Sequence, residues 1–562
     1  MQWRQKKPKT SYLDSDPIIN KLAAINGISN LREFIKPSRD HFHSPYLLRN
    51  IVPASKRIIQ AIQNGENISI HIDIDADGVT SGGIKYNHLR KFTDKVKYFH
   101  AQRSDGHGVY HMKDKIPEGT SLLIIVDSSS NEVQTCKEIS ERGIDIIIID
   151  HHIISDENPY CILINDKHRD CQYPNKDTSG ALLAWKVCQV IDDMLGVNYS
   201  NDLIDLAGLG LHGDQMSMIQ MENRALVNES LNNIKNNGLK AILKIAKKDI
   251  DKLNASDFAF TITPFINAAT RLDKIELAFE MLIAETEKEA LSLAKKLHSL
   301  NSQRKLTQKE AIERIIPTLD LSNQCLVVVD SSLGKNMNGL VASDLANRYQ
   351  RPVVVLGKAK DNDDEYHGSF RSIGFFKFLD FVENIPEVLF SGGHQAAGGV
   401  GIKICDLEKF QKSLNNGLKN ETFEQVVYYD LELDVENIDE NLIAAVEEFS
   451  RLSGNQFKEP KFLIKGLYSL KKEPIGENKD TLRVSGCPES STWFVNDEDI
   501  EGIKPSILAM KFRTSNEFID DFPEKRAVDI VGSLNLNEWV RYKPRYQVVR
   551  TMQIFIEDYK IR

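Results

Sequence analysis

Acidic side chains recur in this chain at the points where apolar runs stop. The run 68–72 (ISIHI) leads into Asp73-Ile-Asp75-Ala-Asp77-Gly78. The run 122–126 (LLIIV) leads into Asp127, and the run 144–149 (IDIIII) into Asp150-His151-His152. Carboxylates gathered in a partly dry crevice repel one another unless a positive charge sits among them. One divalent ion, or two, resolves that conflict. Asp and His donors without Cys suit Mn²⁺ or Mg²⁺ better than a structural zinc.

Each piece has a plainer meaning when taken alone. Asp73-x-Asp75-x-Asp77-Gly78 matches the start of a calcium loop, but the twelfth position, where that loop needs Glu, is Ile84, and the segment is entered from a strand. A single Asp after a strand is commonly a helix N-cap, and a His-His pair is commonly a surface or core feature. Three such endings in one series are far more specific than any one of them, and the metal-site reading is preferred.

The elements that would bring these endings together can be read from periodicity. Ile68, Ile70 and Ile72 alternate with Ser69, His71 and Asp73, the period of a strand. An amphipathic helix precedes it over 51–65. Further strands are expected at 96–99, 122–126, 144–149 and 162–164, with helical spacing between several of them. That order implies βαβ units and a mostly parallel sheet. Ligands of such sheets bind beyond the carboxyl ends of the strands. Neighbouring strands lie ~4.8 Å apart, so the three endings can converge.

Elsewhere, helix-like spacing over the first fifty residues is broken at Pro37 and Pro45. Residues 284–316 carry the clearest helix: a Thr286-x-x-Glu289 capping box, an apolar stripe at Leu293, Leu297 and Leu300, and Pro317 to close it. A helix this long, rising ~1.5 Å per residue, is expected to join two domains. After it come LVVVD (326–330), a helix around 340–349, PVVVL (352–356) and a polar hairpin loop leading to GSFRS, a second α/β region ending near 420. The remainder reads as short strands around 461–470, 481–485, 526–534 and 547–558. No internal repeat is present. The expected organisation is an N-terminal helical segment (1–50), a catalytic α/β domain (51–283), a connecting helix (284–317), a second α/β domain (318–420) and a β-rich domain (421–562).

Composition excludes several classes. The chain has 562 residues, 41% hydrophobic and 27% charged, which is neither disordered nor fibrous. Net charge is −9, so any polyanion must be met by a local basic surface or by metal. Seven cysteines, odd in number and without a C-x-x-C pair, argue against a disulfide framework or a zinc knuckle. The polar start MQWRQKKPKTSY lacks an apolar signal core, and no apolar run approaches the ~20 residues of a membrane span. A cytoplasmic enzyme is expected.

His71-x-Asp-x-Asp75-x-Asp77-Gly, Asp127, Asp150-His151-His152 and Asp214 in GLGLHGDQMSM resemble the four motifs of the DHH phosphoesterase superfamily. GISNLREFI, ENR (222–224), PFINAATRL (264–272), GLVASDLANRYQRPVVVL (339–356), GSFRS (368–372) and SGGHQAAGG (391–399) narrow the resemblance to RecJ-type single-stranded-DNA exonucleases. The fold this implies is α/β: a parallel-sheet DHH domain, a long helix, a DHH-associated α/β domain and an OB-like β-barrel. By the same resemblance Asp75, Asp77, Asp127, His151 and Asp214 would be metal ligands, with Asp127 bridging two ions. His71 and Asp73 would be ligands or orienting groups, and His152 would face the scissile phosphate. DNA contacts would come from Arg103, Asn267, Arg271, Ser369, Arg371, Gly392, Gly393 and His394. In the β-rich tail, Trp539, Arg541, Tyr542, Lys543, Arg545 and Tyr546 form an aromatic–basic run suited to stacking and phosphate attraction.

The implied activity is a Mn²⁺- or Mg²⁺-dependent exodeoxyribonuclease, 5′→3′ and two-metal, in DNA repair and recombination. Its substrate would be single-stranded DNA, its further partners a single-strand-binding protein or a helicase, and its state monomeric, with no membrane association. The rivals are a DHH phosphodiesterase of short oligonucleotides or cyclic dinucleotides, and an inactive replication scaffold. The chain departs from the family pattern at Phe265, Thr270, Asp127-Ser-Ser, His107 and Leu452-Ser453-Gly454.

Overall fold

The computed structural model describes residues 2–103, 105–359, 362–374, 377–423, 426–476, 479–493, 502–541 and 547–562. It divides into two compact units. One comprises residues 1–38, 217–224 and 425–562, and the other 39–216 and 225–424. The first 38 residues therefore join the C-terminal region rather than standing as a separate helical segment, beginning with strand β1 (Gln2–Gln5).

The larger unit holds two sheets. The first contains β2 (Ile68–Ile72), β3 (Val96–His100), β4 (Leu122–Val126), β5 (Asp145–Ile149) and β6 (Ile162–Ile164), all parallel, in the order β3-β2-β4-β5-β6. Every residue of β2 and β4 is buried. The alternation in β2 thus separates two covered faces rather than a wet one from a dry one, as expected of parallel sheets sandwiched by helices. Helix Ala76–Leu89 follows β2 and is itself almost wholly buried. It packs against helices Gly180–Leu195, Ile204–Gly213 and Ile275–Ile283.

The long helix runs Glu287–Ile315, about 43 Å at 1.5 Å per residue. The Thr286 side chain caps it by accepting from Glu289 N. Ala290, Leu293, Ala294 and Leu297 are buried at one end and Ala311, Ile312 and Ile315 at the other, while Asn301 alone is buried between them. The far end enters the core of the second sheet with Leu326, Val328 and Val341. One helix thus packs against helices Asn237–Ile245, Thr263–Arg271 and Ile275–Ile283 at one end and against the second sheet at the other.

The second sheet is mixed: β7 (Leu326–Val329) and β8 (Val353–Lys358) are parallel, and β9 (Glu365–Arg371), β10 (Val388–His394) and β11 (Ala397–Lys403) are antiparallel, in the order β10-β11-β9-β8-β7.

In the smaller unit β1 pairs in parallel with β12 (Val426–Tyr429). A barrel follows from β13 (Leu431–Asp434), β14 (Phe462–Ile475), β15 (Thr481–Pro488), β16 (Ile507–Lys511), β17 (Arg526–Arg541) and β18 (Gln547–Ile561). The order is β13-β14-β15-β16-β18-β17, and the additional pairing of β14 with β17 closes it. The strands are longer than the sequence spacing suggested, and β12, β13 and β16 escaped it. Buried Arg224 lies 3.4 Å from the ring centre of Phe34 and 4.9 Å from that of Phe457, and donates to the carbonyls of Phe34, Met218 and Leu452. The ENR segment is therefore a structural clamp.

Candidate functional site

The acidic endings meet beyond the carboxyl ends of β2, β4 and β5. Three groups of donors form, and within each the ligand atoms lie within 4.8 Å of one another: Asp73, Asp75 and Asp127; Asp77, His151 and Asp214; and Asp127, His151 and His152. His151 Nε2 stands 3.2 Å from Asp127 Oδ1, 3.3 Å from Asp214 Oδ2 and 3.9 Å from Asp77 Oδ2.

Each carboxylate has a backbone reason for its position. Asp75 caps helix Ala76–Leu89 by accepting from Asp77 N and Gly78 N. Asp77 accepts from Gly180 N at 2.6 Å and Ala181 N at 3.0 Å, the first amides of helix Gly180–Leu195, a favourable place for an anion. Asp127 sits in a left-handed backbone, φ 62°, which turns its side chain into the cluster. A Cβ at position 180 would come within 2.6 Å of Asp127 Oδ1, so Gly180 is what lets that helix end reach the acids. Asp214 is the residue at the C-terminus of helix Ile204–Gly213.

The electrostatics ask for a cation. Burial pushes Asp127 well above the usual carboxylate range, and Asp77, Asp75, Asp73 and Asp214 push it further. Burial and then Asp77 and Asp75 push Asp214 up to about 8, and burial likewise raises Asp77. Burial lowers His151, keeping its imidazole neutral and able to coordinate. Asp127 Oδ1 is buried and makes no hydrogen bond among the described residues. An oxygen-rich set with a neutral imidazole fits Mn²⁺ or Mg²⁺.

Asp150 is different. It accepts from His151 N, His152 N, Ser130 N and His152 Nδ1. Burial raises its carboxyl, but the His152 hydrogen bond and charge and the Ser130 side chain outweigh this and hold it well below its ordinary range. In return Asp150 raises His152 to about 9, a cation at neutral pH whose side chain is 59% exposed. His71 stands outside all three donor groups. It packs edge-on against Phe99, both its ring nitrogens lack hydrogen-bond partners among the described residues, and burial pushes it down to about 4. Asp73 grips the neighbouring loop, accepting from His107 Nδ1 at 2.7 Å and Gly108 N at 3.1 Å.

A second, positive cluster lies in the same unit. Burial first, and then the charges of Arg103, Arg304 and Arg371, hold Arg271 down to about 10. Burial also lowers Arg304 and Arg371. Among the described residues none of the four has a carboxylate in ion-pairing range. Arg271 Nη1 donates to Asn336 O and Asn336 Nδ2 donates to Arg271 O, tying helix Thr263–Arg271 to helix Lys335–Tyr349. Asn267 is half-buried on the same helix. Ser369 and Arg371 share one face of β9, with Gly399 and Ala397 opposite them on β11 and Gly392 and His394 beyond on β10. Gly392, Gly393 and His394 thus lie on a strand rather than in a loop, and all three are exposed. Gly339 makes room for Arg371, whose Nη2 would be 2.7 Å from a Cβ there.

Sequence reading missed Arg304 and its support, Asn301, whose Oδ1 accepts from Arg304 Nε and Nη2. The available signal was the gap in the long helix's apolar stripe between Leu300 and Ala311. In the tail Trp539 is 47% exposed on β17, while Tyr542, Lys543, Arg545 and Tyr546 lie outside the described residues, as does the side chain of Arg541. Phe265 is buried against His298. No helix among the described residues is long and apolar enough to cross a membrane.

Comparison with known proteins agrees with this architecture. Residues 67–211 match the DHH family N-terminal domain, 322–420 the DHHA1 domain and 429–551 the RecJ OB domain. The single-stranded-DNA-specific exonuclease RecJ of Bacillus subtilis (strain 168) is 30% identical, over 98% of this chain and 70% of that protein. Crystal structures of RecJ from Thermus thermophilus in complex with Mn²⁺ and with Mg²⁺ superpose with TM-scores of 0.76 and 0.72. They are 21% and 20% identical, and each covers all of this chain and 79% or 78% of the other.

Proposed function

The chain belongs to the RecJ family, and from that premise we propose that it is an exodeoxyribonuclease that hydrolyses single-stranded DNA 5′→3′ to mononucleotides in repair and recombination. The observation that carries the reading is the convergence of three donor groups on Asp127 and His151. Mn²⁺ or Mg²⁺, bound as two ions by Asp75, Asp77, Asp127, His151 and Asp214, would supply the Lewis acid that activates water and offsets charge on the attacking and leaving oxygens.

The chain's own groups divide the remaining work. Asp150 holds His152 protonated and oriented, so that imidazolium can donate to a phosphate oxygen beside the acids. Arg103, Arg271, Arg304 and Arg371 hold the strand by its phosphates, the sequence-independent part of nucleic-acid binding. Ser369 and the glycines of β10 and β11 let the backbone approach the chain end. The closed barrel of the smaller unit supports a long strand rather than a dinucleotide as substrate.

The test is digestion of single-stranded DNA labelled at one end or the other, with and without Mn²⁺, beside a dinucleotide. Metal-dependent release of the 5′ label as mononucleotide is expected. Release of the 3′ label first would overturn the polarity, and preference for the dinucleotide would overturn the substrate class.

A further inference from the structure

His151 presents Nε2 to the acids. An imidazole nitrogen that takes a cation must be the unprotonated one, so the ring proton moves to Nδ1 and requires an acceptor of its own. His151 Nδ1 is buried and has no hydrogen-bond partner among the described residues.

The neighbouring strand supplies an acceptor. β5 and β6 pair in parallel with Ile147 beside Ile162, Ile148 beside Leu163 and Ile149 beside Ile164. Asp150 N donates to Ile164 O at 3.0 Å, carrying the ladder one step past the strand. The ladder ends there, and His151 and Asp166 follow on neighbouring segments, with no Asp166 oxygen within 4.0 Å of a His151 ring nitrogen among the described residues. Asp166 is 0% exposed, and neither carboxylate oxygen has a hydrogen-bond partner among the described residues. Burial pushes that carboxyl up, and the Lys167 charge and the nearby Thr178 hydroxyl offset this only in part, the hydroxyl standing outside hydrogen-bond geometry. Lys167 draws the two segments together: Nζ donates to His151 O and lies 3.8 Å from Asp166 Oδ1. Buried polar groups are almost always paired. Here an orphaned donor site and an orphaned pair of acceptors occupy adjacent strand ends.

We propose that Asp166 is the positioning residue of His151, turning to accept from Nδ1–H when the cation is bound so that the ring is held in the tautomer whose Nε2 is free to coordinate. The inference rests on the metal-centre reading above and adds a residue that the motif acids do not include. Asp166 touches no reacting atom. It acts through the orientation and basicity of His151.

The full chain tests this with Asp166→Ala, Asp166→Asn, His151→Gln and Asp127→Ala, each checked for folding by circular dichroism. Mn²⁺ affinity is read from the electron-spin signal of free Mn²⁺. The ring proton on His151 Nδ1 is read by ¹⁵N–¹H correlation in Mg²⁺-loaded protein, assigned by its loss in His151→Gln. Removing an outer partner of a metal-ligating His typically weakens affinity about 10–100-fold. That loss is expected for Asp166→Ala, with a smaller one for Asp166→Asn, whose amide oxygen still accepts, and with little change in KM for DNA. In Asp166→Asn the Nδ1–H signal should move upfield. Should Asp166→Ala fold poorly, the asparagine variant decides by that signal. Unchanged Mn²⁺ affinity and an unmoved ring signal, alongside a large loss in Asp127→Ala, would overturn the role of Asp166 alone. Unchanged affinity in Asp127→Ala and His151→Gln as well would overturn the metal centre itself.

Discussion

The acid pocket and the arginine cluster, both in the larger unit, are assembled by different physics. Asp73, Asp127 and Asp150 each follow a strand of one parallel sheet, and the ladder alone brings them to one edge, where Asp75 and Asp77 at the start of helix Ala76–Leu89 and Asp214 at the end of helix Ile204–Gly213 join them. The arginines come from a loop, a short helix, the middle of the long helix and an antiparallel strand, and only tertiary packing makes Arg103, Arg271, Arg304 and Arg371 neighbours. The first region gathers carboxylates that resist ionising together, a conflict that a compact dication can offset. The second stores positive charge spread along a path, which a phosphate chain can offset. The contrast sorts the variants: one region should control turnover, the other affinity.

The largest effect is expected in the acid pocket. Asp127→Asn keeps the side-chain volume, and asparagine tolerates the left-handed backbone at φ 62° better than most residues. Loss of the carboxylate should lower kcat on single-stranded DNA by more than about 10²-fold, the scale of removing one preorganised electrostatic group. The same variant should melt higher than the parent protein in chelator, because it removes a charge that four other carboxylates oppose. A variant that loses both activity and metal-free stability would show Asp127 to be structural.

An intermediate effect belongs to the arginines. Arg304→Ala and Arg371→Ala should each raise KM for DNA several-fold while kcat at saturating DNA holds. Each should also reduce the slope of log KM against log salt by about 0.7 per lost phosphate contact. Equal losses in kcat and kcat/KM would assign these residues to the transition state and erase the division of labour.

A smaller effect is pH-linked and carries the opposite sign from an ordinary ion pair. Asp214 is pushed up to about 8 in the folded chain against an unfolded carboxylate near 3.9. Between those values the folded state holds the proton and the unfolded state has released it, so stability falls as pH rises. The melting temperature of chelated protein should drop from pH 5 to pH 8. Saturating Mn²⁺ or Asp214→Asn should flatten the slope. A chelated protein that stabilises over that interval would show that the acids are neutralised from within.

The same contrast explains what could be read from the sequence. Strand ends were legible because apolar runs and the acids that stop them are local, and the parallel ladder adds no freedom. Asp150 and Asp127 differ by one strand, yet one is hydrogen-bonded by Ser130 and His152 while Oδ1 of the other has no hydrogen-bond partner among the described residues. That distinction depends on where helix Gly180–Leu195 and the turn after β4 fall. Arg304 was hidden because an arginine on a solvated helix looks the same whether or not Arg271 and Arg371 face it. The pairing of β1 with β12 links residues more than four hundred apart, and nothing in the polar segment 2–5 announces it. Arg224 looked like part of a functional motif and is buried against two rings.

The two regions are joined at one loop, and the smallest expected effect lies there. Arg103 belongs to the loop that Asp73 grips through His107 and Gly108, and Val109 N donates to Ser129 Oγ at 3.0 Å. Ser129 is left-handed, φ 74°, which costs a non-glycine residue roughly 1–2 kcal/mol. Its hydroxyl gives back about as much by keeping a buried amide from being orphaned, roughly 1–3 kcal/mol. Ser129→Gly should therefore leave stability nearly unchanged, exchanging strain for a lost acceptor. Ser129→Ala loses the acceptor and keeps the strain, so it should be less stable than the glycine variant by about 1 kcal/mol in denaturant unfolding. Both should loosen the loop alike, raising KM for DNA together while Mn²⁺ affinity holds. If the glycine variant alone kept the parental KM, the hydroxyl would have no part in holding Arg103, and Asp73 would be the sole link between the acids and the cations.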